Sequence, residues 1–381
     1  MMIKGTPEYI KLMNRKTVLS LIVNEKAISR AEISNMTNLS KSTVSLIVDE
    51  LLNENIIREM GEGNSTSLGG RKPIKLVFNP SAGYIAGIDI GAYKTVCVLT
   101  DLSGKLLAKE LIQTDNAKDK SYIEHIIDIM KNMIEKLGLQ NKLIGMGIGI
   151  PGTTDIENGI ALTVPKLGWV DFPVRDLFSL EFNLDVYVDN DVNMAVFGEK
   201  WRGVGKDYSN LVFISIGDGI GSGIMIDNKI YRGSNYNGGE VGYLILSKDA
   251  LKKAKYSSDE YGYFESVASG SAIAKKMDMS CKEVFEKASQ NDKEAIAAVV
   301  EMSEYLSMGI SNIVSVLSPQ VVILGGGVSK AGLGLLLSIR QEVSRLTPVK
   351  TDIVLSELGD DAGVMGCIGT VLTNKFGISF Y

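Results

Sequence analysis

Residues 85–113 read IAGIDIGAYKTVCVLTDLSGKLLAKELIQ, and residues 211–232 read LVFISIGDGIGSGIMIDNKIYR. Each stretch begins with an apolar strand that ends on glycine, continues into a second strand, turns on short polar residues and enters a third strand. Ile88-Asp89-Ile90-Gly91 lines up position for position with Ile214-Ser215-Ile216-Gly217. A repeat of this kind, with helical sequence between its strands, predicts two α/β lobes facing each other across a cleft. Gly217, Gly219, Gly221 and Gly223 invite comparison with a dinucleotide-binding turn, but they run into strand-like sequence rather than a helix, which argues against that fold.

Around this repeat the chain has an ordinary globular composition. With 381 residues, 45% of them hydrophobic and 22% charged, it is long enough for two or three domains and for a core that requires no disulfides. Cys97, Cys281 and Cys367 are odd in number and far apart, so a reducing, cytoplasmic setting is expected. The lone histidine, His125, falls off the apolar stripe Ile123, Ile126, Ile127, Met130 and Ile134 of a helix expected over 122–137. Catalytic triads and histidine-rich metal sites are thereby excluded unless that one ring supplies them. No signal-like region opens the sequence and no stretch reaches about 18 uncharged apolar residues, so neither secretion nor a membrane span is expected.

Charge divides unevenly. Residues 1–80 hold eleven Lys/Arg against eight Asp/Glu, a net of +3, whereas the rest holds 29 against 37, a net of −8. A basic front is too weak a signal for nucleic-acid binding alone, so pattern must decide. A first helix is expected over 7–24, with Ile10, Met13, Val18, Leu19 and Ile22 in the core. Ser29-Arg30-Ala31-Glu32 is a capping box that starts a second helix, Thr37-Asn38-Leu39 a turn, and Ser40 the cap of a third helix. In that helix Val44, Ile47, Val48, Leu51 and Leu52 form the inward stripe. Ser40, Lys41, Ser42, Thr43 and Ser45 are left near its exposed N-terminal end, where short polar groups and a cation suit a major groove. Two extended runs, 56–60 and 74–78, with Ile74, Leu76 and Phe78 inward, flank the glycine-rich GEGNSTSLGGRKP. This is a β-wing, and Arg71 and Lys72 at its end are candidates for a minor groove. The first eighty residues therefore read as a winged helix-turn-helix, followed by one lobe over 81–195 and a second over 196–381.

These features together resemble the ROK family, and within it the transcriptional repressors of the xylose-repressor type. ISRAEIS, LSKSTVS and GGRKPIKLVFNP resemble the helix-turn-helix and wing of those repressors, a segment that ROK sugar kinases lack. The body carries GIDIG, IGIGIPG, DNDVNMAVFGEKW, IGDGIGSGI, IYRGSNYNGGEVGY and VILGGGVS in the family's order. The resemblance implies a two-lobed, actin-like sugar-kinase fold, with the C-terminal helix returning to the first lobe. It also implies a sugar site built from Asn190, Asp191, Glu240, Tyr243 and Glu265, whose carboxylates and amides suit adjacent sugar hydroxyls. Asp191 matches the residue that takes a proton from the sugar hydroxyl in family kinases.

Departures from the family sharpen the reading. Tyr243 stands where a zinc-binding histidine is usual, and Tyr256, Ser258 and Tyr263 where cysteines are, so no zinc site and no metal is expected. Gly91-Ala92-Tyr93 replaces a GGT turn and Asp218 replaces a threonine of the second phosphate turn; a carboxylate repels a triphosphate, so ATP is not expected as a cofactor. Gly325, Gly326 and Gly327 persist on the adenosine side, although glycine is also ordinary turn punctuation. Lys166 stands where kinases often carry an asparagine, which opens the door to an acidic or phosphorylated sugar. The chain is thus expected to be a non-enzymatic, sugar-responsive DNA-binding repressor that binds duplex operator DNA as a homodimer or a higher even-numbered oligomer. Two alternatives stay open: an ATP-dependent ROK sugar kinase with an appended DNA-binding head, and a DNA-bound scaffold that recognises another protein.

Overall fold

The computed structural model describes residues 6–62, 73–91, 93–113, 120–248 and 262–378. Pro7 occupies the first turn of α1 (Pro7–Asn24), where its missing N–H costs nothing, and the Thr6 side chain accepts from the Tyr9 N–H. A short strand, β1 (Ile28–Ser29), leads into α2 (Arg30–Thr37), which Ser29 and Glu32 cap reciprocally. Asn38 adopts a left-handed φ of 57° and turns the chain into α3 (Lys41–Asn53), whose cap is Ser40. β2 (Ile57–Glu62) and β3 (Ile74–Phe78) complete a three-stranded sheet in the order β1-β3-β2. Val18, Ile22, Ile33, Val44, Val48 and Leu51 form the core of this head.

Two details depart from the pattern expected above. Ile10 and Met13 are exposed because the first half of α1 is tied to α3 by ion pairs, Lys11 to Glu50 at 2.6 Å and Arg15 to Glu54 at 2.5 Å, and not by apolar contact. Ile74 is exposed too, at the start of β3, next to a register shift between Glu59 and Glu62 that re-aims the strand pair.

The first lobe opens with an antiparallel meander, β4 (Tyr84–Ile90), β5 (Lys94–Asp101) and β6 (Leu106–Gln113), followed by α4 (Lys120–Lys136) and β7 (Leu143–Ile150). A small antiparallel sheet of β8 (Thr153–Asp155), β9 (Ile160–Val164) and β10 (Trp169–Phe172) comes next, then α5 (Val174–Phe182), β11 (Val186–Asn190) and α6 (Asp191–Arg202). His125 lies on the exposed side of α4. The second lobe repeats the plan with β12 (Leu211–Ile216), β13 (Ile220–Ile226) and β14 (Lys229–Ile230). After it come α7 (Tyr263–Ala268), α8 (Gly270–Met277), α9 (Cys281–Ser289), α10 (Lys293–Leu317), β15 (Val321–Gly325), α11 (Leu333–Leu346), β16 (Asp352–Leu355) and α12 (Ala362–Phe376). The two large sheets have equivalent orders, β6-β5-β4-β7-β11 and β14-β13-β12-β15-β16, with three antiparallel strands joined to two parallel ones. Among the described residues no helix is long and apolar enough to cross a membrane.

α6 and α12 connect the lobes. Val196 and Phe197 of α6 pack with Phe213 and Ile323 of the second sheet, while Val364, Ile368 and Val371 of α12 pack with Ile85, Val96 and Val98 of the first. The two helices touch backbone to backbone. A Cβ at Gly366 would lie 1.7 Å from the Met194 carbonyl oxygen, and one at Gly198 would lie 2.1 Å from that of Ala362, so only glycine fits at either point. At its far end α12 meets the head: the Lys16 stem lies against Gly377, the Ser20 hydroxyl donates to the Gly377 carbonyl at 3.4 Å, and Leu19 and Ile22 share a core with Val371 and Leu372. Contact is thus continuous from the start of α6, through α12, to the N-terminal head.

Candidate functional site

In the head, Lys41 and Ser42 are exposed at the start of α3, and Thr43 and Ser45 are half-buried beside them. The Ser40 side chain accepts from the Thr43 N–H at 3.1 Å and lies 2.8 Å from the hydroxyls of Ser42 and Thr43, so it organises the turn that presents them. Arg30 braces α2 on α3 through Asp49 at 2.8 Å, and Lys75 pairs with Glu32 at 2.7 Å, holding that carboxyl down at about 2, chiefly through the Lys75 hydrogen bond. These cations are committed to holding the fold. Lys41 has no ion pair among the described residues. Leu46, 67% exposed on the same outward side of α3, was not anticipated; a leucine aimed at solvent there suits a thymine methyl. Arg71 and Lys72 lie outside the described residues.

The candidate sugar residues gather where the lobes meet, and they divide into two kinds. Asn190 caps α6: its Oδ1 accepts from the N–H groups of Val192 and Asn193 at 2.9 and 3.1 Å, and its Nδ2 donates to the Gly152 carbonyl at 3.0 Å. Glu265 is similarly occupied, accepting from Ile220 N–H at 3.0 Å and Gly262 N–H at 2.9 Å, which ties α7 to the turn before β13. These two mainly hold the walls. Asp191 and Glu240 are the groups whose charges act on each other. Burial pushes the Asp191 carboxyl up to about 6, against opposing hydrogen bonds from the backbone and the nearby Lys166. Burial, then Asp191, then Glu265 push Glu240 upward, although its side chain remains reachable by solvent, as a ligand-facing acid must be. Tyr243, 44% exposed, is held on the turn after Glu240.

Three further features complete the cleft. Arg232 of the second lobe reaches buried Asp189 of the first, with Nε at 3.0 Å and Nη2 at 2.5 Å from one carboxylate oxygen. Lys166, from the turn between β9 and β10, lies 3.8 Å from Asp218 in the turn between β12 and β13, and 5.1 Å above the ring of Tyr93. Asp89, at the end of β4, is wedged against Gly149 and Gly363, and one of its carboxylate oxygens is buried with no hydrogen-bond partner among the described residues. Burial, and then the charge of Asp191, push its carboxyl up to about 8, against the opposing charge of Lys94. Asp189, Arg232 and Asp89 were missed in the sequence. A signal was available for two of them: a lone arginine in IYRG and a lone acid in IDIG, each set among residues that are mostly apolar or glycine.

Among the described residues no group of three His, Cys, Asp or Glu could hold an ion. Tyr263 lies within hydrogen-bond distance of Ser247, at 3.0 Å, while Tyr256 and Ser258 lie outside the described residues.

Comparison with known proteins agrees with this two-part architecture. The winged helix-turn-helix DNA-binding family matches residues 14–58, within the head, and the ROK family matches residues 85–373, nearly all of the body. Over 374 residues the chain is 33% identical to the xylose repressor of Bacillus spizizenii, covering 96% of each protein. It is 31% identical to the xylose repressor of Caldicellulosiruptor bescii, covering 99% of this chain and 100% of that one. A crystal structure of a ROK family transcriptional regulator, a homologue of the E. coli MLC protein, superposes with a TM-score of 0.83 over 97% of this chain and 98% of the other, at 23% identity. With a ROK body, a winged helix-turn-helix in front of it and relatives alike over their full length, this chain belongs to the ROK family.

Proposed function

We propose that this protein is a DNA-binding transcriptional repressor whose operator affinity is set by a sugar held between the lobes, with D-xylose the first candidate. The observation that carries the reading is the union, in one chain alike over its length to xylose repressors, of a winged helix with an interlobe acid pair, Asp191 and Glu240. Carboxylates accept from neighbouring sugar hydroxyls, and closing the lobes on a sugar displaces α6 against α12, which the head rests upon. A sugar shifts the repressor between two arrangements only in proportion to its different affinity for each. Homodimerisation fits this role, because two heads reading half-sites about one helical turn apart add their affinities.

The same cleft fits a nucleotide poorly. Asp218 places a carboxylate in the turn between β12 and β13, whose charge a polyphosphate there would oppose, and Tyr93 and Lys166 occupy the space beside it. The kinase reading keeps one point in its favour: Asp191, raised to about 6, is matched to proton abstraction near neutral pH.

One experiment separates the two. Duplexes selected from a random pool by the full chain are titrated with D-xylose, D-glucose and N-acetylglucosamine, and ADP release is followed with each sugar and ATP. A repressor retains a preferred duplex and loses it as one sugar is added, with no ADP released. Failure to select any duplex sinks the proposal, and sugar-dependent ADP release that vanishes in Asp191→Asn replaces it with the kinase.

A further inference from the structure

We infer that Lys166 is a positioning residue for the sugar site: by reaching from the first lobe to Asp218 of the second, it pins the lobes in the arrangement that faces Asp191 with Glu240. The inference rests on the sugar-site reading above and extends it to how the site is held together without a nucleotide.

The argument begins with what surrounds Lys166. It extends from the turn after β9, in the small sheet of the first lobe, and carries its ammonium 3.8 Å from Asp218, which belongs to the second lobe. Tyr93, from the turn between β4 and β5, offers the face of its ring to the same ammonium at 5.1 Å. Asp218 is itself fixed. Its carbonyl accepts from the Ser271 hydroxyl, and the preceding Gly217 carbonyl accepts from the Gly270 N–H at 2.6 Å, so the turn is bolted to the start of α8. A fixed acid on one lobe therefore meets a cation carried by the other.

Burial raises the carboxyls of both Asp191 and Asp218, and the charge of Lys166 opposes that rise in each. In the cleft the charges of Asp191 and Glu265 act against that of Glu240, and Lys166 is a cation that acts on Asp191. Without it the acids of the two lobes would push the cleft open. The acids Asp191, Glu240 and Asp218 outnumber Lys166 in the cleft, so the site suits a neutral sugar rather than a sugar phosphate. This narrows the ligand class that its position in the sequence left open.

The pair is partly exposed, 32% for Lys166 and 35% for Asp218, so each bond is modest and the effects should be graded. The test uses the full chain, spin-labelled once on each lobe at exposed sites away from the cleft, and calorimetry with D-xylose and D-xylose 5-phosphate. In the sugar-free protein, Asp218→Asn and Lys166→Met each broaden the interlobe distance toward longer values, and Asp218→Glu restores it. Asp218→Asn weakens D-xylose binding by about threefold, the size of a half-exposed ion pair, and adds nothing to Lys166→Met in the double variant. The distance arm needs no ligand: unchanged distances in both single variants overturn the pin, even if xylose binds. If the distances shift but neither sugar binds, the pin stands and the sugar reading fails. Tighter binding of the phosphate than of xylose overturns the neutral-sugar assignment.

Discussion

Arg232 grips Asp189 across the two lobes, with two guanidinium nitrogens at 2.5 and 3.0 Å from the same carboxylate oxygen, immediately beside the cap of α6. The other oxygen of Asp189 accepts from the Asn190 N–H at 2.8 Å and from Asn193 Nδ2 at 3.1 Å, so all the acid's partners are fixed. Its side chain is only 6% exposed, and removing the arginine strands a buried charge. Arg232→Met should destabilise the folded chain by about 2–3 kcal/mol, somewhat less than a fully buried pair because Arg232 keeps 27% of its side chain exposed. Adding Asp189→Asn should recover part of the loss. Urea midpoints of the three variants check this, and strict additivity would show that the two residues do not act as a pair.

The crossing of α6 and α12 makes a second prediction. Gly366→Ala would place a methyl 1.7 Å from the Met194 carbonyl oxygen, and because that atom is backbone, the helices must separate. Overpacking of this kind costs about 1–3 kcal/mol or more, which outweighs the gain of about 1 kcal/mol that alanine brings to a helix. Gly334→Ala near the start of α11 meets nothing within 4 Å and should cost nothing. Denaturant midpoints compare the two, and equal stability would mean that the helices do not pack this closely.

Asp89 ties stability to pH. Its carboxyl is raised from an ordinary 3.8 to about 8, mainly by burial and then by the charge of Asp191. Between those values the folded chain binds more protons than the unfolded chain, so stability falls as pH rises through the window. Asp191, raised to about 6, contributes in the same direction below that pH, and the buried thiols Cys97 and Cys367, also raised, contribute from about pH 8 upward, so Asp89 dominates between about pH 7 and 8. Asp89→Asn should raise the Tm at about pH 8 relative to the parent and flatten its decline between about pH 7 and 8. Calorimetry across that range decides; parallel curves for the two proteins would remove Asp89 from the account.

What the sequence yields and what it withholds have a common cause. The repeat from Ile88 and Ile214 was legible because strand periodicity is local, and the caps Ser29 and Ser40 because they act within three residues of themselves. Ile10 and Met13 misled because apolar spacing shows a stripe without showing whether a neighbour covers it. In the cleft the family's pattern pointed to Asn190 and Glu265 as ligand-facing groups without showing that both also bond the backbone of the walls. It passed over Asp189 and Arg232, 43 residues apart, whose pairing exists only once both lobes have folded.

The head supplies the last prediction. Lys41 stands at the exposed start of α3 with no ion pair among the described residues, whereas Arg30 and Lys75 are engaged with Asp49 and Glu32. A cation so placed suits a phosphate, and a phosphate contact carries no sequence information. Lys41→Ala should therefore weaken all duplexes alike and reduce the slope of log affinity against log salt by about one. Leu46 should behave oppositely. Its exposed apolar side chain can distinguish a thymine methyl but releases no counterions, so Leu46→Ala should leave the slope unchanged and relax preference at one base pair by about 1 kcal/mol. Fluorescence anisotropy with the selected duplex and its single-base variants at several salt concentrations measures both. If Leu46→Ala alters the salt slope, or Lys41→Ala changes base preference, then α3 does not meet the duplex through the end assigned here.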